Sequence, residues 1–195
     1  MTAPNKAVFV DRDGTLNVHR GFISSPDQIE LLPGVTAGIN RLQALGYRIV
    51  MVTNQPVVAR GETTFEGLKA IHDRLETLLR EEGASLDAIY LCPHHPDKGH
   101  AGEIAELKID CDCRKPKTGL VTRAMQEMNI DLGQSWMIGD TTRDILMANR
   151  AGLRSIQVRT GEDAGRDRKY EARPDFIRDD FAAAVVTIAE SSQRE

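Results

Sequence analysis

The sequence is short of cysteine, of aromatic residues and of long apolar runs, and each shortage removes a class of protein. Three cysteines in 195 residues are an odd number, unsuited to a closed disulfide framework. A reducing, cytoplasmic setting fits them, and there clustered thiols are more often metal ligands or catalytic groups than cross-links. Aromatics make up only 5% of the chain, which leaves little stacking surface for nucleic acid. Nor is there a cationic excess: 25 Lys and Arg stand against 29 Asp and Glu, a net charge of −4. That balance lacks the electrostatic footprint of a nucleic-acid binder. No apolar run approaches the roughly 18 residues of a membrane span. The Ala7–Val10 stretch near the start is too short for a signal-peptide core, and no small-residue cleavage site follows it. A small phosphorylated substrate stays open, because a local basic pocket can exist on an acidic protein.

What is present is the balance of an ordinary soluble protein, 41% hydrophobic and 28% charged. The length favours one domain over residues 1–195, at roughly 150 residues per domain. Apolar runs that read as buried strands occur at Lys6–Val10, Tyr47–Val52, Ala88–Leu91, Trp136–Ile138 and Ser155–Val158, with a late one at Asp175–Ile177. Helical spacing appears from Pro33-Gly34 to Leu45, and over Phe65–Arg80, Gly119–Met128, Thr142–Ala151 and Asp180–Ala189. This alternation predicts an α/β fold, a three-layer parallel sheet flanked by helices. In such sheets the site lies at the carboxyl ends of the strands. Asp11, Thr53, Cys92 and Asp140 each follow a predicted strand.

In Asp11-Arg12-Asp13-Gly14-Thr15, residues two apart on an extended chain project to the same side, so both carboxylates can face one reaction centre. Gly14 permits a sharp turn that aims backbone N–H groups at an anion. Two close carboxylates repel, and a divalent cation is a natural way to keep them ionised. The plainer alternative is an Asp-Gly turn with solvated acids; the buried strand before it and the polar strand ends downstream favour a site.

Asp11–Thr15 resembles the first motif of the haloacid dehalogenase superfamily of phosphohydrolases. Thr53 resembles the second, Lys115 the third, and Gly139-Asp140 with Asp144 the fourth. The resemblance covers about residues 7–160. It implies that Asp11 is a nucleophile forming an aspartyl-phosphate, that Asp13 is the general acid and base, and that Thr53 and Lys115 stabilise the transferring group. It further implies Mg²⁺ held by Asp11, the backbone carbonyl of Asp13 and Asp140, with Thr141 as a metal contact through its carbonyl. In the family that position often carries Lys or another polar group. Asp144 supports the metal indirectly or is simply an acid at a helix N-terminus.

All three cysteines fall in one region, Cys92-Pro93-His94 and Cys111-Asp112-Cys113. Three thiolates and one imidazole suit a tetrahedral structural Zn²⁺ without an open position. His94, His95 and His100 all lie nearby, and the resemblance selects His94. It points to the zinc-loop branch, with the loop at about 92–113, which contains heptose 1,7-bisphosphate 7-phosphatases and histidinol-phosphate phosphatases. The loop leads directly into Arg114 and Lys115.

Within that branch, Thr53-Asn54-Gln55 with Ala59-Arg60-Gly61 and the loop His19-Arg20-Gly21-Phe22 resemble the heptose enzymes. The resemblance makes Asp11, Arg12, Asp13, His19, Arg20, Gly21, Phe22, Thr53, Asn54, Gln55, Pro56, Arg60, Arg114 and Lys115 the expected substrate contacts. Arg60 and Arg114 are the guanidinium groups suited to a second, non-reacting phosphate. The implied activity is Mg²⁺-dependent removal of the 7-phosphate. The alternatives are histidinol phosphate as substrate, or a non-catalytic zinc-loop binding module. Pro56-Val57-Val58 and Arg20 depart from the usual pattern and leave the anomer open, with a slight inclination to α. Without a long insertion for a cap, an open site, a small sugar substrate and a monomer are expected. The Gly161–Arg173 stretch receives no role.

Overall fold

Along β1 (Lys6–Val10), a period of two sends Val8 and Val10 to one face and Ala7 and Phe9 to the other, and all four are fully buried. A strand apolar on both faces needs cover on both, which the computed structural model supplies for the residues it describes, 3–161 and 166–193. Five further strands follow: β2 (Tyr47–Asn54), β3 (Ala88–Cys92), β4 (Trp136–Gly139), β5 (Arg154–Val158) and β6 (Phe176–Arg178). They pair in the order β3-β2-β1-β4-β5-β6, parallel throughout.

Helices α1 (Val35–Ala44), α2 (Phe65–Glu81) and α5 (Phe181–Ser192) pack on the face with Val8, Ile49 and Ile138. Helices α3 (Gly119–Met128) and α4 (Thr142–Ala151) cover the face with Phe9, Val50 and Met137. No large cap is evident among the described residues. The expected α/β architecture and all its named elements are present.

Boundaries differ where polar residues end a strand. The sequence reading stops β2 at Val52 and β3 at Leu91, but the ladder continues through Thr53↔Leu91 and Asn54↔Cys92. The backbone pairs regardless of side-chain polarity, and the polar ends face the site. β6 starts at Phe176 rather than Asp175 because the Asp175 carboxylate accepts from the Ser155 N–H and hydroxyl, replacing a backbone rung. Helix α5 runs past Ala189 to Ser192, where Ser191 and Ser192 hydroxyls donate to carbonyls four residues back. No helix of the described residues is long and apolar enough to cross a membrane.

The chain runs β1, β2, β3 to one edge and then returns to place β4 beside β1. Between β1 and β4 the connections diverge, which opens a crevice at their carboxyl ends. Asp11 and Asp140 are the first residues past those two ends.

Gly38 marks the closest approach of α1 to α5. A Cβ there would stand 2.8 Å from the Phe181 ring and 3.0 Å from Val185. Alanine would improve helix propensity by about 1 kcal/mol, against an overpacking cost of about 1–3 kcal/mol. Gly38→Ala is therefore expected to lower the denaturation midpoint; a raised midpoint would show that α5 shifts freely.

Candidate active site

Lys115 is almost wholly buried at the base of the crevice. Its ammonium forms ion pairs with Asp11 Oδ1 at 2.8 Å and Asp144 Oδ1 at 2.7 Å, and donates a hydrogen bond to the Val52 carbonyl at 2.8 Å. Burial alone would lower its pKa, but Asp11 and Asp144 outweigh that and hold it above the ordinary lysine value. The Lys115 backbone is fixed as well, since Asn54 Nδ2 donates to its carbonyl and its N–H donates to Asn54 Oδ1. Asn54, at the end of β2, thereby acts as one more rung of the sheet.

Asp144 sits in the first turn of α4, fully buried. Its second oxygen accepts from the Thr141 N–H and hydroxyl, reaching back across the helix start. Gly139 makes room, because a Cβ there would lie 2.4 Å from that of Asp144. Burial would raise the Asp144 pKa, but Lys115 and Arg143 pull it below the usual carboxylate range. Asp144 is thus the partner of Lys115, a stronger role than a solvated acid at a helix N-terminus.

Asp11, Asp140 and Asp144 bring three carboxylates within 4.8 Å of one another. Burial pushes Asp11 up from its ordinary value, and Asp140 well up, with neighbouring carboxylates adding to the effect. Asp140 Oδ1 is buried without a hydrogen-bond partner. A cluster with surplus negative charge and an orphaned buried oxygen fits a hard divalent cation with oxygen ligands. Because Lys115 and Thr141 occupy Asp144, Asp11 and Asp140 are its available carboxylates. Gly14 turns the chain past them at φ 78°, where a Cβ would be 2.6 Å from Asp140 Oδ2.

Asp13 behaves differently. Both of its oxygens are saturated: Arg12 donates to each at 3.0 and 2.8 Å, Asn17 to Oδ1 at 3.0 Å and Gln55 to Oδ2 at 3.0 Å. Burial would raise its pKa, but the Arg12 guanidinium and these donors hold it below the usual range. Arg12 is itself fully buried, with His72 of α2 at 3.4 Å behind it. Burial and Arg12 push His72 down to about 4, so it faces Arg12 as a neutral ring.

These groups open onto a cavity of about 450 Å³. Asp11, Asp13, Thr53, Asn54, Gln55 and Pro56 line it, as do His19, Gly21 and Phe22. Arg60, Arg114, Lys115, Asp140 and Thr141 complete the expected residues found there. Two expected contacts lie elsewhere: the Arg12 side chain is turned inward to Asp13, and exposed Arg20 pairs with Glu30. His95, Asp97, Arg143, Asp167 and Lys169 also line the cavity and were not anticipated as site residues. Arg143 carries one available signal, its place in the first helical turn after a site strand. Asp167 and Lys169 come from Gly161–Arg173, of which residues 162–165 lie outside the described residues.

Cys92, His94, Cys111 and Cys113 also converge, with all four donor atoms within 4.8 Å. Cys111 Sγ is 3.5 Å from Cys92 and 3.2 Å from Cys113, and His94 Nδ1 is 3.3 Å from Cys113. Tetrahedral zinc with Zn–S near 2.3 Å implies sulfur–sulfur edges of about 3.8 Å, slightly longer than these. Burial pushes the Cys92 thiol strongly up and Cys113 to about 11, a cost that a bound cation would reverse. The cluster touches the cavity through Arg114, which donates to the His94 carbonyl at 3.0 Å.

Residues 112–184 match the HAD-hydrolase-like family. A Yersinia pestis protein named D-glycero-beta-D-manno-heptose-1,7-bisphosphate 7-phosphatase is 37% identical, with 93% of this chain and 94% of that protein covered. Its namesake from Haemophilus ducreyi is 42% identical over 80% of this chain and 85% of its own. The crystal structure of the D,D-heptose 1,7-bisphosphate phosphatase of B. bronchiseptica, complexed with magnesium and phosphate, matches with a TM-score of 0.80. It is 32% identical, and 95% of this chain and 99% of that one are covered.

Replacing Arg12 by Gln tests the hold on Asp13. In the native protein a depressed Asp13 pKa contributes stability above its unfolded value, lost as pH falls through the folded one. Without Arg12 two of the lowering influences are gone while burial remains, so the Asp13 pKa should rise and the stability it contributes at higher pH should shrink. Carbon-13 titration of the Asp13 carboxyl measures this; an unmoved titration would assign the depression to Gln55 and Asn17.

Proposed function

The chain belongs to the heptose 1,7-bisphosphate phosphatases of the haloacid dehalogenase superfamily, and from that premise we propose that the described cavity removes the 7-phosphate of D-glycero-D-manno-heptose 1,7-bisphosphate through an aspartyl-phosphate. The observation that carries this reading is the buried Asp11–Lys115–Asp144 bridge beneath a cavity also lined by three arginines. Asp11 attacks phosphorus, and the ester oxygen leaves. Lys115 holds Asp11 in place and faces the charge that develops on the phosphoryl group, while the Thr53 hydroxyl donates to it. Asp13 gives a proton to the departing sugar oxygen and later takes one from the water that cleaves the aspartyl-phosphate. Asp11, Asp140 and the Asp13 carbonyl would hold Mg²⁺, which when bound supplies neutralising charge for the phosphoryl group; Thr141 would contribute through its carbonyl.

A second phosphate on the substrate accounts for cations that one phosphate does not need. Arg60 lies over the Phe22 ring at 3.9 Å, and Arg114 is anchored on the His94 carbonyl. Histidinol phosphate would bring an ammonium into this cationic wall and is disfavoured. The names of the relatives support the β-anomer. The α inclination rested partly on Arg20, whose pairing with Glu30 withdraws that support. We assign zinc to Cys92, His94, Cys111 and Cys113, where it would fix the loop that delivers Arg114 and Lys115. A monomer working in the cytoplasm remains part of this proposal.

Phosphate release with Mg²⁺ from the α- and β-bisphosphates and from histidinol phosphate tests the assignment. The β-bisphosphate should be preferred, and Asp11→Asn should remove turnover of every substrate. Preference for histidinol phosphate would overturn the substrate while leaving the chemistry standing.

Metal analysis of the purified protein should find about one zinc per chain. Cys113→Ser should lose it, along with roughly ten- to a hundredfold of activity, through slackening of Arg114 and Lys115. Full activity in a zinc-free protein would remove the metal from that role.

A further inference from the structure

Arg143 lines the same cavity as Arg114, and three of the carboxylates near it are held by other groups. Asp144 is held by Lys115 and Thr141, Asp11 by Lys115, and Asp167 by the Thr142 N–H and hydroxyl at 2.7 and 2.6 Å. Among the described residues the half-buried Arg143 side chain has no hydrogen-bond or ion-pair partner. Asp144, Asp11 and Asp140 act on it only through their fields. Arg114 likewise has no carboxylate partner, and its one recorded hydrogen bond goes to a neutral carbonyl.

The two guanidinium groups also act on each other. Both line one cavity, and the positive charge of Arg143 acts unfavourably on that of Arg114. Like charges held together without an intervening anion are unfavourable, and an anion placed between them reverses the sign of the interaction. Planar guanidinium forks are the groups that match phosphate oxygens in pairs.

We propose that Arg143 and Arg114 form a clamp for the second, non-transferring phosphate, and that Arg143 is a specificity-determining residue for the bisphosphate. This rests on the sugar-bisphosphate reading and deepens it. The transferring phosphate already has Lys115, Thr53 and the metal ligands, whereas a second dianion needs cations of its own. Arg60, laid against the Phe22 ring, stays available to the same phosphate, and Arg143 adds a guanidinium that no carboxylate holds.

The test compares Arg143→Gln and Arg143→Lys with the native enzyme on heptose 1,7-bisphosphate and heptose 7-phosphate, with histidinol phosphate alongside. The ratio of kcat/KM for bisphosphate over monophosphate should fall roughly ten- to a hundredfold in Arg143→Gln, mainly through KM. Lysine should restore part of the ratio, because it keeps the charge and loses the fork. A thermal melt and turnover of the monophosphate report folding in each variant. An unchanged ratio, or equal losses on both sugars, would overturn the assignment of Arg143 while a native preference for the bisphosphate keeps the substrate reading. Native preference for histidinol phosphate would take both down.

Discussion

The Lys115 ammonium is the interaction on which the site depends. It pairs with Asp11 at the end of β1 and Asp144 at the start of α4, and donates to the Val52 carbonyl inside β2. One buried cation therefore ties together three elements whose ends form the crevice. Removing it would leave Asp11 and Asp144 facing each other as buried carboxylates near Asp140, an arrangement that strongly disfavours ionisation of at least one. With it, Asp144 stays ionised and Asp11 is aimed, while the remaining surplus of negative charge marks where a divalent cation belongs.

A buried lysine on a loop needs that loop to be held, and two devices do this. Asn54 grips the Lys115 backbone from both sides, extending the sheet past the last strand residue. On the other side, the four clustered donors of Cys92, His94, Cys111 and Cys113 pin the chain immediately before Arg114. Cys92 ends β3 and pairs with Asn54, so the thiol cluster and the lysine grip share the same corner of the sheet. The cysteine–histidine cluster and the placement of Lys115 are in this sense one problem of loop geometry.

Much of this is legible in the sequence because strand ends follow from apolar runs. Asp11, Thr53, Cys92 and Asp140 are located by the residues before them, and the three cysteines by their spacing, with His94 chosen by the family resemblance. What was not legible depends on which way a side chain turns. Arg12 sits between two site carboxylates in the chain yet points inward to Asp13, and Arg20 finds Glu30 ten residues away. Asp167 and Lys169 reach the cavity because the chain after β5 folds back over α4, with Asp167 on Thr142 and Thr160 on the Gly14 carbonyl. No local periodicity encodes that return.

Under the proposed acid–base role, the saturation of Asp13 constrains how it can handle a proton. A carboxylate with four donors has no lone pair left for a leaving oxygen, so one donor must yield. Arg12 and Asn17 approach from the fully buried side, whereas Gln55 lines the cavity. The Gln55 amide also donates to Thr53 Oγ1 at 2.9 Å, so releasing Asp13 leaves it partnered. Gln55 is thus the donor that a sugar oxygen can replace, and the exchange exposes Asp13 Oδ2 to the reaction. Arg12 still favours the ionised form, which suits the base needed for hydrolysis of the aspartyl-phosphate. For the acid needed first, the field of the arriving phosphate must raise the pKa, so protonation of Asp13 is coupled to the presence of substrate.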